Sequence, residues 1–109
     1  MPYDEGLEAR IKKVVSTWAQ TDAKKMFGGI CHLLHGNMFC GVYKDFLILR
    51  LGEEKSAKAL ASPFVKPFDI TGRVMKGWVM VAQEGFATDD ELETWLNQAR
   101  EFVETLPAK

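Results

Sequence analysis

Two cysteines and two histidines, Cys31, His32, His35 and Cys40, fall within ten residues of one another. These are the ligand types of a structural zinc site, and equally the parts of a thiol nucleophile with its base. The zinc reading fails on strand geometry. The chain from about Lys25 to Leu34 reads as a strand, and alternation along it sends Cys31 and His32 to opposite faces, so both cannot bind one tetrahedral ion. A nucleophile needs a base in reach and a third group to orient that base. Cys40 with His32 or His35 could supply the first two, but no nucleophile-elbow sequence surrounds it. The residues are expected to be core thiols and a turn histidine. With Gly36-Asn37 as a two-residue turn, His35 pairs with Met38 and Cys40 lies opposite Leu33. Cys31 and Cys40 then become diagonal neighbours on one face, at a spacing that suits no disulfide, and both are expected to be reduced.

The remaining polar groups mostly have structural explanations. Glu53-Glu54 and Asp89-Asp90 open helices, where acids favour the macrodipole. Ser16, Ser56 and Ser62 sit on helices or at a helix end. Gly28-Gly29 and Gly36-Asn37 lack the strand, long helix and following Lys-Ser/Thr of a phosphate loop, and Gly28-Gly29 reads as a bulge or a close backbone approach. Arg50 stands apart because it interrupts Leu49 and Leu51 on a buried strand and so requires a partner or an opening to water. Asp69 is one candidate partner, and a ligand or protein anchor is the alternative. Thr71-Gly72-Arg73-Val74-Met75-Lys76-Gly77-Trp78 sets two cations around a glycine-flanked turn beside an aromatic, a mixture suited to protein contacts and weakly to single-stranded nucleic acid. The candidate partner or ligand contacts are Lys25, Met26, Phe27, Arg50, Arg73, Lys76 and Trp78. No catalytic residue, cofactor or metal is expected.

Those residues must be positioned by a short series of elements. Leu7, Ile11, Val14, Val15 and Trp18 form one stripe of a helix over 4–18, with Asp4 as N-cap. After the turn Thr21-Asp22 come the strand to Leu34, a second over 38–43, a turn at Lys44-Asp45 and a third over 46–51. Gly52 ends this meander. Residues 53–61 read as a short helix stopped by Ser62-Pro63. A short strand over 64–69 is confined by Pro67 to an edge or an irregular pairing, and 75–82 supply the last strand. Thr88-Asp89-Asp90-Glu91 is a capping box in front of Leu92, Trp95, Leu96, Ala99, Phe102, Val103 and Leu106. The order α-β-β-β-α-β-β-α predicts a single α+β domain over 1–109, with a five-stranded antiparallel sheet and three helices.

Read with strict alternation, neither sheet face is polar. A sheet covered on one side alternates apolar with polar, so both faces are expected to be covered, either by helices on both sides or by a second copy in an isologous dimer.

Hydrophobic residues make up 47% of the 109 residues, enough for one folded core and too many for a disordered chain. No run approaches the roughly 20 apolar residues of a membrane helix. Met1-Pro2-Tyr3-Asp4-Glu5 opens polar and acidic, unlike a secretory signal, so a cytoplasmic protein with no membrane partner is expected. Residues 1–83 carry 12 Lys/Arg against 8 Asp/Glu, and residues 84–109 carry 2 against 7. A nucleic acid would therefore be limited to the N-terminal two-thirds, through Arg10, Lys12, Lys13, Lys24, Lys25 or the Lys66, Arg73, Lys76 group.

Several segments together resemble the N-terminal domain of TfoX/Sxy, the regulator of natural competence genes in bacteria: Tyr3-Asp4-Glu5, Lys25-Met26-Phe27-Gly28-Gly29, Gly36-Asn37-Met38-Phe39, Leu49-Arg50, Thr71-Gly72-Arg73, Met75-Lys76-Gly77-Trp78 and Leu106-Pro107 with Lys109. The resemblance spans essentially the whole chain. It implies an α+β fold similar to that of type III secretion chaperones and a regulatory role. It carries over no catalytic residue. Because the chain ends at Lys109, the expectation is a stand-alone N-domain without the second TfoX domain. It would be a non-enzymatic interaction module working through protein contacts, with direct nucleic-acid binding as the alternative and a small ligand-binding domain or enzyme behind both.

Overall fold

A computed structural model describes residues 4–18, 21–26, 29–68 and 77–107. The elements run α1 (Glu5–Val15), β1 (Thr21–Met26), β2 (Gly29–Leu34), β3 (Asn37–Tyr43), β4 (Phe46–Arg50), α2 (Glu53–Ala59), β5 (Val65–Pro67) and β6 (Trp78–Val81). A single 3-10 turn (Gln83–Phe86) and α3 (Asp89–Val103) follow. The strands form one antiparallel sheet in the order β1-β2-β3-β4-β6-β5. The α+β class and the three helices match expectation, whereas the sheet has six strands rather than five.

The added strand is β1. What reads as one strand from Lys25 is divided, with Met26 paired to Gly29 and Thr21 to Leu34. β1 is an outermost strand, and residues 22–25 are exposed, so it needs no apolar alternation. Its Lys24 and Lys25 are the charges that discourage edge-to-edge association. The opposite edge is β5, where Pro67 pairs with Val79, as a residue without a backbone N–H requires.

The β2–β3 hairpin turns one residue earlier than expected. Leu34 pairs with Asn37, and the central residues His35 (φ 52°) and Gly36 (φ 81°) both lie in the left-handed region, the signature of a type I′ turn. Asn37 belongs to β3, buried, with its Nδ2 donating to the Pro107 carbonyl at 2.9 Å. Leu33 pairs with Met38 but His32 with Cys40, so Phe39 is the extra residue of a β-bulge.

That bulge decides the two faces. Phe39 and Cys40, consecutive in sequence, both join the main core with Ile30, Leu34, Val42, Leu47, Leu49, Val79 and Val81, covered by Leu7, Ile11 and Val15 of α1 and Leu92, Leu96, Ala99 and Val103 of α3. Ala59 of α2 packs on the same cluster. Among the described residues all three helices therefore cover one face. The other face holds a smaller cluster of Ile48, Phe68 and Met80, with Met38, Tyr43, Phe46 and Trp78 packed against it. Ile48 and Phe68 are each only 1% exposed, so this cluster is buried within one chain and needs no second copy to hide it. Gly41 lies in the middle of this face, where an added Cβ would stand 2.7 Å from the Ile30 carbonyl and 3.2 Å from the Met38 methyl.

Both long helices start as their sequences dictate. The Asp4 carboxylate accepts from the Gly6 and Leu7 amides, while its own amide donates to the Lys44 carbonyl at 2.7 Å and ties α1 to the β3–β4 turn. Thr88 and Glu91 form the reciprocal capping box of α3.

Candidate functional site

The bulge places His32 and Cys40 side by side as cross-strand partners on the helix-covered face. Glu8 reaches them from α1, with its Oε1 2.5 Å from His32 Nε2. This bond joins the first helix to the second strand through two buried side chains. The cluster thus contains a thiol, an imidazole and a carboxylate, all buried. Glu8 is 5% exposed, His32 2% and Cys40 fully buried. Among the described residues no hydrogen bond joins the Cys40 thiol to His32. Burial, the Glu8 carboxylate and the neighbouring Cys31 all push the Cys40 thiol well above its ordinary value, which keeps it protonated and non-nucleophilic. Burial likewise raises Cys31 to about 11. What the geometry does provide is a polar tie from α1 to the centre of the sheet. The second carboxylate oxygen of Glu8, Oε2, has no hydrogen-bond partner among the described residues, and Lys12 Nζ is 3.9 Å away.

The expectation that Cys31 and Cys40 share a face is corrected: Cys31 pairs with Gly41 and points to the opposite side of the sheet from Cys40. Both are free thiols. Among the described residues no three His, Cys, Asp or Glu side chains are grouped to hold a metal.

Of the candidate contacts, the structure brings together Arg50 and Trp78. They are cross-strand partners at the ends of β4 and β6, the guanidinium carbon lies 5.5 Å from the Trp78 ring centre, and Phe102 of α3 lies 5.8 Å away on the same guanidinium. Two aromatic rings thus answer the demand for a partner. Among the described residues no carboxylate pairs with Arg50, and Asp69 lies outside them. Lys25 is exposed on β1, three strands from Arg50, and Met26 ends that strand. Phe27, Arg73 and Lys76 lie outside the described residues. Glu8 is the residue that sequence reasoning missed. Its signal was a charge three residues before Ile11 and seven before Val15, inside the apolar stripe of α1.

Among the described residues, one groove lies between two of the helices. α1 and α3 flank a groove of about 560 Å³ lined by Arg10, Lys13, Val14, Trp18, Asp89 and Glu93, together with Ala9 and Thr17. Among the described residues no helix is long and apolar enough to cross a membrane.

A six-stranded sheet with helices on one face, a sealed polar cluster and an inter-helix groove together define a small α+β domain. By sequence the chain belongs to the family of the TfoX N-terminal domain, whose family model matches residues 13–103. No curated protein and no solved structure matches the chain.

Proposed function

We propose that the protein is a non-catalytic regulatory module of the TfoX type, acting in the cytoplasm through protein contacts that alter the expression of target genes, competence genes among them. The observation that carries this reading is membership of the TfoX N-terminal domain family across residues 13–103. The state of the thiols supports it, because both are buried and shifted away from the thiolate form that chemistry would need. The likeness of the family's fold to type III secretion chaperones, which the resemblance implied, fits a scaffold that binds polypeptide. The test is a transcript comparison in the native host with the gene removed and then restored. A defined set of transcripts changes on removal and returns on restoration. An unchanged transcript profile would end this reading.

A second reading, direct nucleic-acid binding, has one observation behind it. On the helix-free face, Lys24, Cys31, Gly41, Ile48, Met80 and Lys66 align in a single cross-strand row, which places a lysine at each edge of the sheet. That reading predicts binding of single-stranded DNA or RNA with steep salt dependence, and absence of binding at low salt removes it.

A further inference from the structure

The groove between α1 and α3 has walls of opposite charge. Arg10 and Lys13 project from α1, Asp89 and Glu93 from α3, and the half-buried Val14 and Trp18 give it an apolar lining. Arg10 is already committed, with its Nε 3.2 Å from Asp89 Oδ1 and one terminal nitrogen donating to the Phe86 carbonyl at 2.8 Å. Lys13 and Glu93 are exposed and, among the described residues, form no ion pair. Trp18 is held in place, packed 5.4 Å from Phe39 and capped by the Arg100 guanidinium at 4.7 Å, so a partner would meet a rigid anchor whose ordering is complete before binding.

We propose that a second copy of this chain occupies the groove, with Lys13 of each copy paired to Glu93 of the other around a shared apolar centre at Val14 and Trp18. Charge selects this occupant. A polyanion or an acidic peptide drawn to the Lys13 wall is repelled by the Asp89 and Glu93 wall, and a basic partner meets the reverse conflict. Any occupant must present the two signs in reversed order. A two-fold rotation of the same surface does so, because an isologous contact sets residue i against j and j against i. The inference rests on the reading that the domain works through protein contacts and names one of them. It differs from a dimer through the sheet, since the helix-free face already holds its own buried cluster.

The test is sedimentation of the intact wild-type chain and of Lys13→Glu and Glu93→Lys, each alone and mixed in equal amounts. Both positions are exposed, and circular dichroism establishes that each variant is folded. The wild type is expected to dimerise at micromolar concentration, and each variant alone to associate about tenfold more weakly or less, since reversal sets like charges at both symmetric contacts. In the mixture the Lys13→Glu copy and the Glu93→Lys copy meet with opposite charges at both contacts, one pair reversed in sign and the other the native Lys13 with Glu93, so the heterodimer recovers wild-type affinity. A monomeric wild type, undiminished association of either variant, or a mixture that fails to recover would each overturn the proposal. None of these results touches the regulatory reading, which is decided by the transcript response alone.

Discussion

Glu8 on the first helix and His32 in the second strand meet at 2.5 Å with both side chains almost wholly shut off from solvent. This bond fixes the rotation of α1 over the sheet, because Leu7, Ile11 and Val15 enter the core from the same helix. Removing one partner strands the other in an apolar surround, which costs far more than the net worth of the bond. Glu8→Ala is therefore expected to destabilise the fold by about 3 kcal/mol in urea unfolding. The double variant Glu8→Leu/His32→Leu should lose less than the sum of its single changes. Additive losses would show that the two side chains do not depend on each other.

The thiols set a limit on the alkaline side. A thiol in the unfolded chain ionises near 9.0, whereas folded Cys31 does so at about 11 and Cys40 is shifted in the same direction. Above pH 9 the native state binds more protons than the unfolded state, so unfolding free energy falls as pH rises. The contribution is complete below pH 9 and disappears between about 9 and 11, amounting to roughly 2–3 kcal/mol for Cys31. Denaturant titrations at a series of alkaline pH values should show this slope in the wild type and a shallower one in Cys31→Ala.

Neither Gly41 nor Gly52 has room for a side chain. An added Cβ at Gly41 would press on the Ile30 carbonyl, which is backbone and cannot rotate away. Gly52 has φ +85°, and its Cβ would stand 2.7 Å from the Phe102 ring that also flanks Arg50. Gly41→Ala and Gly52→Ala are each expected to cost about 2 kcal/mol or more, read as a lowered midpoint in thermal unfolding. In Gly52→Ala, displacement of Phe102 should also alter the fluorescence of Trp78, which shares Arg50 with that ring.

Asn37 separates two accounts of the hairpin. As a turn residue it would accept Gly without loss, whereas the structure buries it and bonds it to the Pro107 carbonyl. Asn37→Gly is accordingly expected to destabilise by about 1–2 kcal/mol and to loosen the C-terminal segment, measurable as faster amide exchange after Val103.

Local signals with their own chemistry were readable from the sequence. Asp4 caps α1, Thr88 and Glu91 cap α3, Gly52 and Ser62-Pro63 bracket α2, and Pro67 keeps β5 at an edge. What strict alternation could not reveal was a bulge. Phe39 adds one residue to β3, which puts Phe39 and Cys40 on one face and Cys31 on the other, so alternation counted through it assigns the wrong face to the residues on one side of it. β1 was hidden because an edge strand with exposed residues at 22–25 carries no period-two pattern. The pairing of Arg50 with Trp78 and Phe102 depends on contacts between residues far apart in the chain, which spacing alone does not encode.

The most direct measurement for the account as a whole is transcript restoration by a thiol-free protein in the native host. Cys31→Ala/Cys40→Ala removes the only two thiols while leaving the α1 and α3 surfaces untouched. If the domain acts by contact, this variant, once circular dichroism has established that it is folded, restores the same transcripts as the wild type. A folded thiol-free protein that fails to restore them would contradict the account and place chemistry at Cys40, His32 and Glu8.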